Sequence, residues 1–502
     1  MSSELLLGID IGSTTVKATL LDAGADARVI ASYSKPYPSA HPQPGWVEQD
    51  PEDWWSSVRA VLAAFGEQLE RVSAVGITGQ GSTAVLLDDA GDVLAPAISW
   101  QDQRAAPVAS EIADRLDAAL RRAHGNGTGD GPEPRMVWTR SERPELFARV
   151  ARAVSVAGYV GYRLTGRIAV SEGDAGSWLS WNRHTHRWDD EIAGALGVSG
   201  ILPEVVRAGE AIGRICAEAH RESGLPESAV VIATTTDLAA AAVSTGAAGL
   251  DDIHYSKGTG GFVTAQLHEP PDHPPFVVLP FGKEDLSQYC AGTPALGSAL
   301  EWCARLIGSP DAGRAVELAE TSAPGAGGVI ALPWLQGSSF PVVDASARGA
   351  FLGLSLSTGP GDIARAVLEA SSLEFSAQVA QLAPLLDRPL ARVVCSGGPT
   401  RSPFWNLLDA SALGMPVHVA KKATAAVGAA LIAGEGTGLW DDANLVGRAM
   451  SGPLLRVDPD AALSDGFARR RRLLGDISAA LRPLAPAIAD VGRADPAGPA
   501  RA

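Results

Sequence analysis

The chain is poor in cysteine, has no basic excess and contains no long hydrophobic run. Its 502 residues include only four cysteines, far apart and without a C-x-x-C pair, which excludes a disulfide scaffold and a cysteine-based zinc site. The formal net charge of −16 argues against nucleic-acid binding, which needs a basic face, and against an anionic membrane surface. The longest apolar stretch, residues 229–250, is broken by threonines and by Asp237, so no membrane-spanning helix is predicted.

The sequence also lacks several short catalytic motifs. It has no G-x-x-x-x-G-K-[ST], no protein-kinase signature and no H-E-x-x-H, which excludes a P-loop enzyme and a zincin. His184 and His186 are interpreted as surface histidines rather than half of a metal site. No basic segment precedes the first apolar run, so we expect no signal peptide and a cytoplasmic protein.

What the chain does contain is a regular alternation of strand-like and helix-like segments. A hydrophobic content of 46% with 20% charged residues is typical of globular proteins, and the length allows two domains. Strands that alternate with amphipathic helices, such as the one beginning at "DPEDWW", predict an α/β fold. A strand, a Gly-rich turn and a second strand occur at residues 5–22 and again at 251–269. This repeat at about half the chain length indicates two related domains, with predicted limits 1–245 and 246–485 and a mobile tail at 486–502.

Three segments carry residues suited to chemistry. Asp10 precedes a turn of small hydroxylated residues that would suit a phosphate, although a tight hairpin needs similar residues. Asp237 follows a buried strand and precedes an Ala-rich helix, where open α/β sheets place their ligand crevice. We interpret Asp237 as a general base, and a helix N-cap is the alternative. Gly397 and Gly398 end another strand and would let a flat ligand approach the backbone, unless they form an ordinary strand-to-helix turn.

In their order along the chain, these segments resemble the FGGY carbohydrate kinases, in the xylulose-kinase-like branch of the actin/hexokinase-like ATPases. "GIDIGSTTVKATLLD" resembles the family's first phosphate loop, and "GITGQ" and "AISWQDQR" resemble its sugar-side segments. "VVIATTTD" is similar to the strand that carries the base, and "SKGTGGFV" to the second phosphate loop. "CSGGPTRSPFW" and "VGAALIAG" resemble adenosine-side motifs, so the resemblance runs from Leu5 to about Gly438.

The resemblance implies an α/β protein with two RNase H-like domains flanking a catalytic cleft. It implies that the first domain binds mainly the sugar and the second mainly ATP, with Mg²⁺ bridging the phosphates. Asp237 would be the catalytic base and Asp10 would orient the metal. The implied cofactor-binding residues are Asp10, Gly12, Ser13, Thr14, Thr15, Lys17, Gly258, Thr259, Gly260, Gly261, Gly397 and Gly398. The implied substrate residues are Gln80, Gly81, Ser82, Trp100, Asp102 and Arg104, of which Gln80, Asp102 and Arg104 could instead be surface turn residues.

Some positions depart from the family pattern. The common "GQMHG" reads "GQGSTAV" here, so Gly81 and Ser82 replace the Met and His that often face a pentulose. Thr234–Thr236 stand where glycines usually precede the base, "GTSG" reads "GTGG", and Gly337–Pro341 reads "GSSFP" where many members have "GER-P". These departures leave phosphoryl transfer intact and leave the sugar open. We expect a kinase for a small-molecule ketose or polyol, with D-xylulose as the first substrate to test and a tetritol or another ketose as alternatives. A non-catalytic sensor of sugar or nucleotide and a sugar-independent ATPase or chaperone of the same superfamily are the rival functions, and a homodimer is the candidate assembly.

Overall fold

The computed structural model describes residues 4–24, 27–124, 131–268, 276–282, 286–344, 346–421 and 423–491. The strands are β1 (Leu5–Ile11), β2 (Thr15–Asp22), β3 (Arg28–Pro36), β4 (Glu48–Gln49), β5 (Val72–Gly79), β6 (Ala84–Leu87), β7 (Ala97–Ile98), β8 (Arg152–Ser155), β9 (Ala169–Ser171), β10 (Trp181–Asn182), β11 (Arg187–Trp188), β12 (Glu204–Val206), β13 (Ala211–Arg214), β14 (Val230–Ala233), β15 (Asp252–Lys257), β16 (Gly261–Leu267), β17 (Val277–Pro280), β18 (Ser287–Thr293), β19 (Ile330–Leu332), β20 (Ala350–Leu352), β21 (Arg392–Ser396), β22 (Val417–Ala420) and β23 (Leu455–Val457). The α-helices are α1 (Pro51–Ala63), α2 (Ala106–His124), α3 (Glu133–Glu142), α4 (Pro144–Phe147), α5 (Val156–Thr165), α6 (Glu172–Ala175), α7 (Asp190–Leu196), α8 (Ala217–Ser223), α9 (Asp237–Thr245), α10 (Gly297–Leu306), α11 (Ala312–Thr321), α12 (Pro360–Leu382), α13 (Pro403–Leu413), α14 (Ala425–Gly436), α15 (Ala443–Ser451), α16 (Ala461–Leu481) and α17 (Ala485–Val491).

The described chain forms two compact units that are interleaved along the sequence. The first unit draws on residues 1–249, 266–289 and 423–452, and the second on 250–265, 290–422 and 453–502. The predicted boundary between residues 245 and 246 refers to the two domains that the family resemblance implies, and it stays a prediction. Of the predicted tail, residues 486–491 belong to α17 and the remainder lies outside the described residues. Among the described helices, none is both long enough and apolar enough to cross a membrane.

The sheet of the first unit has the strand order β13-β14-β5-β1-β2-β3. The predicted hairpin is formed by β1 and β2, which are antiparallel, whereas β1, β5 and β14 are mutually parallel neighbours. Parallel strands end at the same edge of a sheet, so the segments that follow β1, β5 and β14 converge there. This edge holds the turn after Asp10, the loop after Gly79 and the start of α9.

Helix α14 packs on this sheet at backbone contact distance, although it comes from late in the chain. A Cβ atom on Gly8 of β1 would lie 1.8 Å from the carbonyl oxygen of Ala426, and one on Gly76 of β5 would lie 2.0 Å from that of Ala429. Only glycine allows the helix so close to both strands. The small side chains of α14, in the segment "AAVGAALIAG", make this close packing possible.

The sheet of the second unit repeats the same arrangement. In the order β18-β16-β15-β21-β22-β23, six of its seven strands correspond one by one to β3-β2-β1-β5-β14-β13 of the first sheet. Strand β15 is antiparallel to β16 and parallel to β21. One face is covered by α12, where Phe375 stacks on Tyr255 with ring centroids 4.2 Å apart. The predicted repeat of one strand-turn-strand unit is therefore confirmed as a repeat of a whole sheet.

Candidate active site

Asp10 is a buried carboxylate one residue before the end of β1. It lies opposite Lys17 of β2 and Thr78 of β5 in the sheet register. Burial raises the pKa of Asp10 to about 6, and the charge of Lys17 opposes part of this rise. Its Oδ1 atom is buried and has no hydrogen-bond partner among the described residues. A buried carboxylate oxygen without a protein donor is unusual, and it indicates a position where a bound ligand supplies the missing interaction.

Asp237 is the first residue of α9, but it does not cap the helix. The N-cap is Thr236, whose side chain accepts a hydrogen bond from the Ala239 N–H at 3.3 Å. Asp237 Oδ1 instead accepts the N–H of Leu238 at 2.8 Å. Burial raises the pKa of Asp237 to about 7, and the negative charges of Asp10 and Asp174 add to the rise. The alternative reading of Asp237 as an N-cap is therefore wrong.

Asp174 is a third carboxylate at this place, and the sequence reading overlooked it. It lies in the short helix α6 and accepts a hydrogen bond from Ser155 Oγ at 2.8 Å. Burial raises its pKa to about 6. The neighbouring Gly173 packs so tightly that a Cβ atom there would lie 2.8 Å from the Cα atom of Thr235. The only available signal was an acid among small residues in "SEGDAGS", which is too common to single out.

The turn at residues 12–15 is held by side chains from several segments. Its backbone is closed by a hydrogen bond from Gly12 N to the Thr15 carbonyl at 3.2 Å, and Thr14 at the tip is exposed. The Tyr37 hydroxyl donates to the Gly12 carbonyl, and Trp100 Nε1 donates to Ser13 Oγ at 2.9 Å. The structure thus brings predicted substrate residue Trp100 into direct contact with the predicted phosphate turn.

Gln80 joins the same turn through Gln49. Gln49 Nε2 donates to the Ser13 carbonyl at 2.8 Å, and Gln80 Nε2 donates to Gln49 Oε1 at 2.7 Å. Gln80 is buried, and its Oε1 atom has no partner among the described residues. An unsatisfied amide oxygen at this edge of the sheet is available to a hydroxyl group of a ligand.

The segment Gly81–Ser82 has an unusual backbone conformation that other residues stabilise. Ser82 has φ 52°, a left-handed conformation that non-glycine residues rarely adopt. Arg135 of α3 donates Nη1 to the Ser82 carbonyl at 3.2 Å and to the Gly131 carbonyl at 2.7 Å, and Nη2 to the Trp100 carbonyl at 2.7 Å. One guanidinium therefore ties together both predicted sugar-side loops. The sequence reading missed Arg135, which lies in no recognisable motif.

Asp102 and Arg104 are buried rather than exposed turn residues, and they bind each other. Arg104 donates Nε to Asp102 Oδ1 at 2.9 Å and Nη2 to Asp102 Oδ2 at 2.7 Å. Arg104 also donates to Glu48 at 2.7 Å, and its guanidinium lies 3.6 Å from the ring centroid of Trp46. Asp102 in turn accepts the N–H of Val47 at 2.5 Å. These bonds give both residues a local structural role, and their predicted role as sugar ligands stays a prediction.

In the second unit, the predicted phosphate loop lies on the first turn of α10. Gly258 N donates to the Gly260 carbonyl at 2.8 Å, which closes the turn. The Thr259 carbonyl accepts the N–H groups of Leu296 at 2.9 Å and of Ser298 at 3.2 Å. A Cβ atom on Gly261 would lie 3.0 Å from Leu296 Cδ2. The loop therefore has a defined conformation with small residues at its tip.

The two glycines after β21 lie beside this loop. Gly397 has φ 100°, and a Cβ atom there would lie 2.0 Å from the carbonyl oxygen of Lys257. Gly398 begins the 3₁₀ turn Gly398–Arg401 that leads into α13. The predicted nucleotide-side motifs at Gly258–Gly261 and Gly397–Gly398 are thus brought together within the second unit.

Comparison with known proteins assigns this architecture to a family. The model for the N-terminal domain of the FGGY family of carbohydrate kinases matches residues 5–244, and the C-terminal model matches residues 254–435. The chain therefore belongs to the FGGY family of carbohydrate kinases, which confirms the resemblance, the kinase class and the two-domain actin/hexokinase-like ATPase fold.

Its similar proteins include kinases with different substrates. The xylulose kinase of Klebsiella pneumoniae is 30% identical, over 96% of this chain and 100% of that protein. The glycerol kinase of Gloeobacter violaceus is 31% identical, over 88% of this chain and 90% of that protein. The solved structure of xylulose kinase from Rhodospirillum rubrum matches with a TM-score of 0.84 and 29% identity, over 96% of this chain and 100% of that chain.

Proposed function

We propose that the protein transfers the γ-phosphoryl group of ATP to a primary hydroxyl group of a ketose or polyol. The observation that carries this proposal is the group of three carboxylates at one edge of the first sheet, of which Asp10 and Asp174 are buried and Asp237 is half-buried. Burial, together with the negative charges of Asp10 and Asp174, raises the pKa of Asp237 to about 7. A general base works best when its pKa lies close to the operating pH.

Asp237 is the base in this proposal. Its carboxylate accepts the proton of the attacking hydroxyl group as the oxygen–phosphorus bond forms and the bond to the leaving ADP breaks. Burial favours the neutral carboxylic acid that results. Because α9 is capped by Thr236, proton uptake by Asp237 leaves the helix cap intact.

Asp10 fits a magnesium ion that is held through water. Its Oδ1 atom is buried without a donor, and Mg²⁺ prefers carboxylate oxygens and keeps several of its waters. When bound, Mg²⁺ would neutralise charge on the phosphates. Gly12–Thr15 offer backbone N–H groups on a turn of small residues, and Lys17 stands opposite Asp10 in the register.

We assign nucleotide binding to the second unit. Gly258–Gly261 would bind the β- and γ-phosphates through backbone N–H groups, and the small residues keep the approach open. Gly397 and Gly398 would meet the adenosine. The hydrogen bonds from the first turn of α10 to the Thr259 carbonyl support this assignment, because they fix the loop before any ligand binds.

D-Xylulose is the first substrate that we propose, and the family relatives leave a polyol as the alternative. Xylulose kinases and glycerol kinases both occur among the similar proteins. Gly81 and Ser82 place small side chains where the family often has Met and His, so this side of the sugar site is less filled. A ketose or polyol that differs from D-xylulose at the facing hydroxyl group is therefore a strong second candidate.

The proposal is tested by ADP release with Mg-ATP against a panel of ketoses, aldoses and polyols. We expect one compound to give turnover that falls by at least about 10²-fold in Asp237→Asn, the usual contribution of a general base. Asp190→Asn, an exposed aspartate at the start of α7, is the matched control and should not change turnover.

Three outcomes would contradict the proposal. Near-normal turnover in Asp237→Asn would remove the base assignment. Sugar-dependent stabilisation without ADP release from any compound would indicate a sensor. ADP release that needs no sugar would indicate an ATPase.

A further inference from the structure

A buried ion pair lies directly behind the second phosphate loop. Lys257 is the last residue of β15, and its Nζ atom lies 2.5 Å from Asp409 Oδ2 of α13, with both side chains 0% exposed. The other carboxylate oxygen of Asp409 accepts the hydroxyl of Ser372 on α12 at 2.6 Å. The ammonium group also lies 4.5 Å from the ring centroid of Trp405. Both charged groups are therefore completely buried, and each forms an ion pair with the other.

Lys257 does not have the position of a phosphate ligand, although it directly precedes the loop. Alternate residues of a strand point to the same face, and Tyr255 on that face stacks on Phe375 of α12. The Lys257 side chain extends to the same helix-covered face, where Asp409 engages it. The phosphate loop, in contrast, continues from the Lys257 backbone.

The ion pair is not explained by stability alone. Desolvation of two charges offsets most of their attraction, and apolar residues of similar size usually stabilise a core as well or better. What a buried pair does provide is a fixed direction and distance between two elements, here the end of β15 and the middle of α13.

The Lys257 backbone connects both predicted nucleotide motifs. Its carbonyl oxygen is the atom against which Gly397 packs, at 2.0 Å from the Cβ position that glycine leaves empty. The next residue, Gly258, starts the loop that is closed on the Gly260 carbonyl. A shift of Lys257 by a fraction of an ångström would therefore move the phosphate loop and the Gly397 turn together.

We propose that Lys257 and Asp409 form a positioning pair that sets the phosphate loop for nucleotide binding. The pair acts through the backbone of Gly258–Gly261 and touches no ligand itself. This inference rests on the proposed assignment of the nucleotide to that loop. It predicts that neutralising the pair changes nucleotide affinity more than it changes the stability of the fold.

The test uses the double variant Lys257→Met with Asp409→Leu in the full chain. Mg-ADP affinity is measured by titration calorimetry, and the KM values for ATP and for the sugar are measured separately. We expect a melting temperature within a few degrees of the wild type, at least tenfold weaker ADP binding and a similar rise in the KM for ATP, with an unchanged KM for the sugar. Each single variant should be far less stable than the double variant, because it leaves one buried charge unpaired.

The matched control is the ion pair at the opposite end of β15. Arg392, which starts β21, donates to Asp252, which starts β15, at 2.6 Å. The double variant Arg392→Met with Asp252→Leu should leave ADP affinity unchanged, whatever it does to the melting temperature. An equal loss of ADP affinity in this control would overturn the inference, because both pairs would then act through general destabilisation.

Other outcomes are also decisive. A folded Lys257→Met, Asp409→Leu variant with wild-type ADP affinity would overturn the positioning role while leaving the proposed function intact. If this variant does not fold, the neutral hydrogen-bonding pair Lys257→Gln with Asp409→Asn takes its place. Weaker ADP binding by that variant would support the positioning role, and unchanged binding would overturn it. Wild-type protein that binds no ADP would overturn the nucleotide assignment and this inference together.

Discussion

The pH dependence of turnover gives the sharpest prediction about Asp237. Burial, Asp10 and Asp174 raise its pKa from 3.8 to about 7, and only the ionised carboxylate can accept a proton. We expect kcat/KM to fall as the pH drops below 7, by about tenfold for each further unit once most of the base is protonated. At pH 6 only about a tenth of the enzyme would carry the active form of this group.

Removal of the negative charge of Asp174 provides a second test of the same pKa. Asp174→Asn removes one negative charge that raises the pKa of Asp237, while an amide can still accept the hydroxyl of Ser155. The midpoint of the kcat/KM profile should therefore move to lower pH. Initial rates of ADP formation between pH 5 and 9, at subsaturating sugar, measure this directly. A flat profile in the wild type, or an unmoved midpoint in Asp174→Asn, would refute the reasoning.

The raised pKa of Asp237 also affects stability: raising the pH increases activity but lowers the free energy of unfolding. A carboxyl group whose folded-state pKa is raised binds its proton more tightly in the folded protein, so stability is lost as the pH rises from about 4 to 7. The rise of this pKa from 3.8 to about 7 lowers the free energy of unfolding at pH 8 by at most about 4 kcal/mol, and solvent screening of this partly exposed carboxylate reduces the effect. Asp237→Asn should consequently melt at a higher temperature than the wild type at pH 8, and at the same temperature below pH 4.

Three further substitutions test the packing and the loops. Gly428→Ala of α14 would place a Cβ atom 1.8 Å from the Ala240 carbonyl oxygen and should lower the free energy of unfolding by about 3 kcal/mol, whereas Gly194→Ala, with open space around it, should not. Arg135→Met removes the guanidinium from three loop carbonyls and should raise the KM for the sugar about tenfold, as expected for loss of a charged hydrogen bond, without changing the KM for ATP. Ser82→Gly relieves a left-handed backbone conformation. It should raise the free energy of unfolding by about 1 kcal/mol, measured as a higher melting temperature.

The sequence was sufficient where short-range chemistry decides the structure. The β1–β2 hairpin follows from two apolar runs around a turn of Gly, Ser and Thr. Helix α1 begins where "DPEDWW" predicts, with Asp50 accepting the Glu52 N–H at 2.9 Å. The position of Asp237 between strand and helix was also predicted, but the capping role belongs to Thr236, because both residues suit an N-cap and tertiary packing decides between them.

The sequence was insufficient where residues far apart in the chain meet. Lys257 and Asp409 are 152 positions apart, and neither belongs to a pattern that identifies the other. Arg135 contacts its loops through backbone carbonyl groups, which leave no trace in the side-chain pattern. Helix α14 is rich in Ala and Gly, but nothing in its composition indicates that it packs on β1 and β5 of the first unit.

Comparison of the two sheets shows how one repeated element can acquire two roles. In each unit the turn glycine, Gly12 or Gly258, follows the same central strand, and two residues earlier stands Asp10 in the first unit and Ser256 in the second. A carboxylate repels a polyphosphate unless a cation intervenes, whereas a hydroxyl group does not. This difference of charge at equivalent positions agrees with the proposed roles, which are metal binding near Asp10 and nucleotide binding at Gly258–Gly261.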